Sequence, residues 1–351
     1  MNKKPHFPGN CPASLLDFDT ITLGHGGGGK LTQQLLNSGV FTLLDNEWLQ
    51  EQGDAAVINV KEKMAFSTDS FVVSPIIFPG GTIGDLAVNG TVNDLAVSGA
   101  LPEFLSLSFI LEEGLNMEHF WAILLSIREA CATAGVHVIT GDTKVVERGK
   151  GDQIFINTTG LGRVHQKADL GMQRICAGDA VILSGPLARH GIAIMSKREG
   201  LEFETKLESD TRPLHEICQK LIGTLGSSIR LMRDPTRGGV ATVLHEIARQ
   251  TKLGVDLFEK NLPIEDEVGG ACEMLGLDPL FVANEGLFVA VVESDQAGHC
   301  LQIIQEWEHG KNAAIIGAIT EEHARNVVLN STIGGRRVLP QTSGELLPRI
   351  C

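Results

Sequence analysis

One pattern occurs twice along the 351-residue chain and limits the folds that it can adopt. In each half, short strand-like runs alternate with helical periods, and a polar, glycine-containing stretch near 163–178 separates the halves. Such a pattern favours helices packed against a largely antiparallel sheet. The length is sufficient for two domains, each with its own core. We therefore predict an α/β (α+β) protein with domains at 1–167 and 168–335.

Local periodicity and turn residues predict the positions of the individual helices and strands. Asn116 is a candidate N-cap of the second helix, and Gly135 marks its end. The predicted strands are 55–60, 64–73, 103–111, 136–140, 153–164, 179–186, 286–292 and 313–321. The predicted helices are 81–100, 116–135, 191–200 and 235–251.

The last residues, 336–351, differ from the rest of the chain. Pro340, Gly344 and Pro348 interrupt this stretch, and it has no hydrophobic period. We predict a mobile tail, which spans up to ~50 Å when extended. The chain stops on Cys351, so its thiol could reach a distant site on its own subunit or on a neighbour. The alternative is a disordered end whose cysteine does nothing.

Composition excludes several classes of protein. The formal net charge is -14, without a basic cluster, which argues against a nucleic-acid partner. The seven cysteines lie far apart and contain no CxxC pair, which argues against a disulfide framework and a structural zinc site. Neither a signal peptide nor a membrane-spanning apolar run is present, so we expect a cytoplasmic protein without a membrane partner.

A glycine-rich segment near the N-terminus is a candidate anion-binding loop. It consists of Gly26, Gly27, Gly28 and Gly29, followed by Lys30 and a predicted helix. Glycines let backbone N–H groups approach a phosphate, while the lysine and the helix start add positive charge. The spacing is not that of a P-loop. A flexible loop without a ligand is the alternative.

Four aspartates in the first half are candidate ligands of a metal ion. Each lies next to an apolar run: Asp54, Asp69, Asp94 and Asp142. Mg²⁺ is held by a few hard oxygen ligands and by substrate phosphates, so converging aspartates suit a metal-nucleotide. Because aspartate is also a common turn and cap residue, each one alone could be structural.

Two further residues are candidates for proton transfer. Glu285 lies between two apolar runs, where a carboxylate is either a satisfied structural group or one with a perturbed pKa. Lys144 follows Asp142 by two residues, and both are expected just beyond the end of the 136–140 strand; the alternative is a surface lysine.

Other polar positions are less informative. The segment 232–246 places Arg233, Asp234 and Arg237 before a Gly-Gly helix start, where a structural turn is the equal alternative. His25 and His190 lack ligand spacing, so metal binding by imidazole is not expected.

Several motifs in fixed order resemble one known family. They are "HGGGGK", "FSTDSF", "NDLAVSGA", "GDTKVV", "DPTRGGV", "NEGLFVAVV" and a terminal "PRIC". Together they resemble the HypE family, the carbamoyl dehydratases of [NiFe]-hydrogenase maturation, within the PurM-like superfamily of aminoimidazole ribonucleotide synthetase. The resemblance covers nearly the whole chain.

The resemblance implies a fold and a reaction. The fold is a two-domain one, in which the N-terminal sheets of two subunits pair as a homodimer and ATP with Mg²⁺ binds at the subunit and domain junction. HypF places a carbamoyl group on the terminal cysteine, and the ATP-dependent reaction dehydrates it to a thiocyanate. The HypC-HypD complex then accepts the cyanide for iron.

The resemblance also implies a role for each candidate residue. Cys351 carries the substrate, Glu285 is the base and Lys144 is its electrostatic partner. The glycine loop with Lys30 closes over the triphosphate, and Thr68 and Asn93 join the nucleotide-binding set. The residues implied for Mg²⁺ and phosphates are Asp54, Asp69, Asp94 and Asp142.

Two other functions are compatible with the residues alone. One is a PurM-like kinase or synthetase that acts on a free small molecule, with an incidental tail. The other is a carrier without catalytic activity, which delivers a group on its tail. The aspartate set argues against the carrier, and the terminal thiol argues against the kinase.

Overall fold

Two α/β domains, each built on one sheet, make up the protein. The computed structural model describes residues 18–26, 30–51, 58–200, 207–341 and 349–350. The N-terminal sheet ends at Val164 and the C-terminal sheet begins at Ala180. The predicted mixture of helices with largely antiparallel sheets is therefore confirmed. Among the described residues, every helix is too short or too polar to cross a lipid bilayer.

The N-terminal domain has a four-stranded sheet in the order β1-β6-β4-β5, in which only β4 and β5 are parallel. Two long helices, α4 and α5, cover one of its faces. The strands are β1 (Met64–Phe71), β2 (Ile77–Phe78), β3 (Gly81–Thr82), β4 (Ala100–Glu112), β5 (His137–Val146) and β6 (Ile154–Val164), and β2 pairs with β3 in a separate two-stranded sheet. The helices are α1 (Lys30–Leu35), α2 (Phe41–Leu43), α3 (Glu47–Glu51), α4 (Ile83–Val97) and α5 (Met117–Ala134).

The two long helices begin at side-chain caps. At α4, the Thr82 hydroxyl accepts a hydrogen bond from the Gly84 N–H (2.9 Å), and Asp85 accepts one from the Thr82 N–H, which makes a capping box. At α5, the Asn116 side chain accepts a hydrogen bond from the His119 N–H (3.1 Å), which confirms the predicted N-cap. The helix ends at Gly135, whose φ of 66° favours glycine.

The second face of the N-terminal sheet is open in the single chain. Side chains alternate along its strands, so one set packs on α4 and α5 while the other points away. Phe66, Leu161 and Phe104 are cross-strand partners in the outward set, and Phe66 is 69% exposed. Ile110, also outward, is 45% exposed. The exposed apolar side chains on this open face are those that a second chain could cover.

The C-terminal domain has a seven-stranded sheet with helices on both faces, in the order β13-β12-β9-β11-β7-β10-β8. Its central strands β7 and β10 are buried along their whole length, as a two-sided cover requires. The strands are β7 (Ala180–Leu183), β8 (Ile229–Arg233), β9 (Gly254–Phe258), β10 (Val289–Val292), β11 (Ala314–Thr320), β12 (Val327–Asn330) and β13 (Arg336–Val338). The helices are α6 (Arg189–Glu199), α7 (His215–Leu225), α8 (Gly239–Thr251), α9 (Asp266–Leu275) and α10 (Ala297–Gln305).

Three local predictions differ from the structure. The tail does not begin at residue 336, because β13 pairs with β12 and extends the sheet of the C-terminal domain. Strand β5 continues past residue 140, because its pairing with β4 runs to Val146, so the residues after 140 are not beyond its end. Of the predicted strand 55–60, residues 58–60 have no regular structure, and 55–57 lie outside the described ranges.

Candidate active site

Four carboxylates lie close enough to influence one another where the two domains meet. They come from β1, from α4, from the segment after β8 and from the segment before β10: Asp69, Asp94, Asp234 and Glu285. The Ser67 hydroxyl donates a hydrogen bond to Asp94 (2.6 Å), and Arg237 lies 3.6 Å from Asp69. We call these four residues the acidic cluster.

Burial and mutual repulsion raise three pKa values in the acidic cluster. Burial raises the pKa of Asp94, and the charge of Asp69 adds to this effect. Burial, followed by the charge of Asp94, raises the pKa of Asp234 to about 7. Burial raises the pKa of Glu285 well above its ordinary value, with Asp234 and Asp210 contributing. The neutral form of Glu285 is therefore favoured while the cluster lacks a cation.

The acidic cluster fits a cation that it shares with a ligand. Among the described residues, no three His, Cys, Asp or Glu side chains are placed to hold a metal by themselves. Mg²⁺ is commonly bound by one or two carboxylates and completed by phosphate oxygens, and added positive charge would relieve the repulsion in the cluster. Asp69 and Asp94, both predicted as metal ligands, are the carboxylates available for this.

The backbone holds Glu285 firmly in place. Both the Glu285 and Gly286 N–H groups donate to the Asp210 carboxylate, at 3.2 and 3.1 Å. A Cβ at Gly286 would lie 1.7 Å from the Asp210 carbonyl oxygen, so only glycine fits there. The Glu285 side chain is 3% exposed, and its buried Oε1 has no hydrogen-bond partner among the described residues. A buried, unpaired carboxyl oxygen is unusual in a purely structural glutamate.

Asn93, predicted to belong to the nucleotide-binding set, forms hydrogen bonds with the C-terminal domain. Its amide donates to the carbonyl oxygens of Arg212 (3.0 Å) and Glu285 (3.1 Å), and its oxygen accepts from the Leu214 N–H (2.8 Å). These contacts join α4 to the C-terminal domain, and the nucleotide-binding role of Asn93 stays a prediction. Asn93 acts by fixing the segment that carries Glu285.

A second group of predicted residues lies at the β5 edge of the N-terminal sheet. Asp142 and Lys144 are consecutive outward residues of β5, joined by an ion pair of 3.0 Å. They line a cleft of about 420 Å³ together with Thr32 of α1. Helix α1 starts at Lys30 and directly follows the glycine loop in the sequence.

Within one chain, the two groups are separate. Strands β1 and β5 are the opposite edges of the sheet, three strand spacings or ~14 Å apart. Asp142 and Lys144 lie on the open face in register with Ser108 and Ile110, whereas Asp69 lies on the other face of β1. The largest charge effects on the pKa of Glu285 come from carboxylates, and Lys144 lies at the opposite edge of the sheet.

Thr68 lies on the open face, with its neighbour Asp69 on the opposite face. Its hydroxyl is 2.9 Å from that of Thr159 and donates to the Thr158 carbonyl oxygen at 3.1 Å. Thr68 therefore belongs with the open face and not with the acidic cluster of its own chain.

The end of the chain returns to the junction between the domains. Ile350 is 1% exposed, and its carbonyl oxygen is 2.9 Å from Nε2 of His190. Arg349 forms an ion pair with Asp152 and donates to the Val72 carbonyl oxygen.

Some predicted residues lie outside the described part of the chain. They are Gly27, Gly28, Gly29, Asp54 and Cys351, together with the side chain of Lys30. Gly26, by contrast, is the last residue of the 3-10 turn Leu23–Gly26.

Sequence reasoning left two important residues without a role. Asp234 was noted only beside a possible turn, but its charge has the largest effect of the neighbouring carboxylates on the pKa of Glu285. Asp210 had no signal at all, since it lies in a polar segment without periodicity; only the fold brings it to the Glu285 and Gly286 N–H groups.

Comparison with known protein families defines the class first. Residues 52–164 match the N-terminal domain of AIR synthase related proteins, and residues 177–330 match the C-terminal domain of the same proteins. The chain is thus a two-domain AIR synthase related protein, with its acidic cluster between the two matched domains.

More similar relatives define the family within that class. The carbamoyl dehydratase HypE of Bradyrhizobium diazoefficiens is 47% identical over 94% of this chain and 96% of its own length. A crystal structure of the hydrogenase maturation protein HypE in complex with ATP has a TM-score of 0.90 at 41% identity, covering 94% of this chain and 99% of that one. HypE in a HypE-HypF complex has a TM-score of 0.77 at 44% identity, covering 88% and 99%. The chain belongs to the HypE carbamoyl dehydratase family.

Proposed function

We propose that this protein uses ATP to dehydrate a carbamoyl group on its own Cys351 to an S-cyanate, which supplies cyanide for the iron of [NiFe]-hydrogenase. The observation that carries the proposal is the return of the chain's end to the segment of Glu285. Ile350 contacts His190, and the next residue of α6, Gly191, donates to the Ala283 carbonyl oxygen at 3.1 Å. The residue after Ile350 is Cys351.

The chemistry requires a phosphate donor and a base. An amide oxygen is a poor leaving group, so the carboxamide oxygen first takes the γ-phosphoryl group of ATP, releasing ADP. The C–O bond then breaks with loss of phosphate while both N–H protons are removed, which leaves a C≡N group on sulfur. Glu285 fits the base, because its unpaired Oε1 is buried and its raised pKa favours proton acceptance.

A bound cation would prepare Glu285 for this role. Mg²⁺ at Asp69 and Asp94 would supply positive charge to the phosphates and to the acidic cluster. The same charge would lower the pKa of Glu285 and let it lose its proton when the nucleotide is in place. Binding of ATP and activation of the base are coupled in this arrangement.

The nucleotide site is proposed to combine residues of two chains in a homodimer. Asp142, Lys144 and helix α1, which follows the glycine loop in the sequence, lie at the opposite sheet edge from Asp69, so one chain does not bring the two groups together. The apolar open face, with Phe66 exposed, is a suitable surface for a second copy. In that dimer, Lys144 of one chain serves the Glu285 of the other.

The partners follow from the family. The HypE-HypF complex of a relative supports HypF as the carbamoyl donor here. The HypC-HypD complex is the proposed acceptor of the cyanide. Both partners must meet the terminal thiol, so the contacts of Ile350 and Arg349 have to be released between steps.

A PurM-like kinase or synthetase acting on a free small molecule is the alternative function. It would leave the buried position of Ile350 without a purpose, whereas the proposed function uses it. Deleting Ile350 and Cys351 separates the two functions, because a kinase would keep its turnover.

Intact-mass analysis tests the proposed function directly. The purified protein is incubated with HypF, carbamoyl phosphate and ATP, and the Cys351 peptide is analysed over time. We expect a carbamoyl adduct that loses one water as ADP is formed, and a Cys351→Ser variant should show neither change. An unmodified Cys351 peptide, or an adduct that never loses water, would refute the proposal.

Mixing two inactive variants tests the shared site. We expect Glu285→Gln and Lys144→Ala each to abolish dehydration. In a re-equilibrated mixture, half of the dimers are mixed and each of these has one intact site, so activity should return to about one quarter of wild type. If Lys144 instead acted on Glu285 of its own chain, each site would retain a defect and the mixture would stay inactive.

A further inference from the structure

His190 is completely buried in the first turn of α6, and both of its ring nitrogens have a partner. Nε2 lies 2.9 Å from the Ile350 carbonyl oxygen, and Nδ1 lies 2.7 Å from the Ser209 hydroxyl. The ring also makes an edge contact with Phe78, at 5.7 Å between centroids. No role could be assigned to this histidine from sequence spacing, because it lies in no metal-ligand motif.

The two partners determine the tautomer of His190. A carbonyl oxygen only accepts hydrogen bonds, so Nε2 must carry a hydrogen and donate it to Ile350. Burial lowers the pKa of His190, so the ring is neutral and Nδ1 accepts from the Ser209 hydroxyl. The Ser209 N–H donates to the Pro79 carbonyl oxygen, so this chain of contacts is fixed on the N-terminal domain.

Other contacts hold the residue before Ile350. The Arg349 carbonyl oxygen accepts hydrogen bonds from the Ser74 N–H (3.2 Å) and from the Arg198 guanidinium at the far end of α6. One helix thus holds two successive carbonyl oxygens of the chain end, through His190 and Arg198. These are the last two peptide groups before Cys351.

Helix α6 also contacts the segment that carries Glu285. The N–H groups of Ala188 and Gly191 donate to Asn284 Oδ1 (2.7 Å) and to the Ala283 carbonyl oxygen (3.1 Å). Asp210, which binds the Glu285 and Gly286 N–H groups, lies near enough to His190 to influence its pKa. His190 therefore stands between the chain end and the proposed base.

We propose that His190 is a positioning residue: it fixes the Ile350–Cys351 peptide group and so presents the group carried on Cys351 to Glu285. The presentation of the carried group to Glu285 rests on the proposed function. The hydrogen bond that holds the chain end does not depend on it. The hydrogen bond from Nε2 competes with release of the thiol to HypF. A change at His190 should therefore affect the two stages of the reaction in opposite directions.

Alkylation of Cys351, followed on its peptide by mass spectrometry, measures the release of the chain end. His190→Phe keeps a planar ring but loses both nitrogens, and loss of the hydrogen bond should raise the alkylation rate about tenfold. His190→Gln retains an N–H donor near the position of Nε2 and should stay near the wild-type rate. His215→Phe, at a buried histidine of α7, is the matched control and should not change the rate.

The same variants are then compared in the two steps of the reaction. For His190→Phe we expect carbamoylation by HypF at least as fast as in wild type, with about tenfold slower single-turnover dehydration. A general loss of structure would slow both steps. Equal alkylation of His190→Phe and wild type, or a His190→Gln variant that behaves like His190→Phe, would overturn the inference. If wild type takes up carbamoyl groups but never dehydrates them, the proposed function fails, while the alkylation result still decides whether His190 holds the chain end.

Discussion

Protonation of Glu285 leads to a prediction about the stability of the protein in the absence of substrate. In the ligand-free native protein, burial and the neighbouring carboxylates raise the pKa of Glu285 well above its ordinary value of 4.5. In the unfolded chain the same group ionises near that ordinary value. Between these two pKa values the native state binds one more proton than the unfolded state, so the free energy of unfolding falls as pH rises.

The size of the effect follows from the linkage relation. One extra proton in the native state lowers the free energy of unfolding by ~1.4 kcal/mol per pH unit. Glu285→Gln resembles the protonated side chain in shape and charge and cannot ionise. Relative to this variant, wild type should therefore lose ~1.4 kcal/mol of stability per pH unit over the range between the two pKa values.

Urea unfolding of the ligand-free protein at several pH values measures this difference. Glu259→Gln is a suitable control, because hydrogen bonds from Thr332 and Ser331 hold the pKa of Glu259 below its ordinary value. Glu259 is ionised in both states over this range, so the control should run parallel to wild type. A constant difference between wild type and Glu285→Gln would show that Glu285 is ionised in the native state and would refute the argument. Mg²⁺ with a non-hydrolysable ATP analogue should reduce the slope.

Three further substitutions test separate parts of the structure. Gly286→Ala places a Cβ 1.7 Å from the Asp210 carbonyl oxygen, so we expect a loss of ~1–3 kcal/mol in urea unfolding and greatly reduced dehydration. Phe66→Asp on the open face should shift the protein from dimer to monomer in sedimentation velocity, whereas Ile333→Asp, at a 93% exposed loop residue of the other domain, should not. Asn116→Ala removes the N-cap of α5 and should cost ~1 kcal/mol without changing single-turnover dehydration; a large loss of activity would contradict the purely structural role of this cap.

The fold was predictable where local signals are strong. Strands such as β1 and β6 alternate buried and exposed residues, and α5 is bounded by Asn116 and Gly135. The start of the tail was wrong because β13 is a short edge strand whose pairing with β12 leaves no pattern in residues 336–338. Pro340 and Gly344 indicated a tail from residue 336, but residues 336–338 belong to the sheet.

Several residues of the candidate site could be predicted from the sequence, but their arrangement in space could not. Asp69, Asp94 and Glu285 were identified from apolar surroundings, and the fold brings them together. Asp142 was identified in the same way, yet it lies across the sheet. Sequence spacing cannot distinguish convergence within one chain from convergence between two, because that depends on the order of strands and on which face is left open.

Keeping Glu285 protonated until the nucleotide binds serves the proposed reaction in a specific way. A thiocarbamate is exposed to hydrolysis whenever a base and water are both present, and an ionised Glu285 could activate water against it. The acidic cluster favours the neutral form of the base while no cation is bound, and Ile350 is buried at the chain end. Ionisation then requires the positive charge that arrives with the phosphates, which is also when the carboxamide oxygen can become a leaving group. The repulsion among Asp69, Asp94 and Asp234 costs stability in the free protein, and this cost makes the base dependent on its cosubstrate.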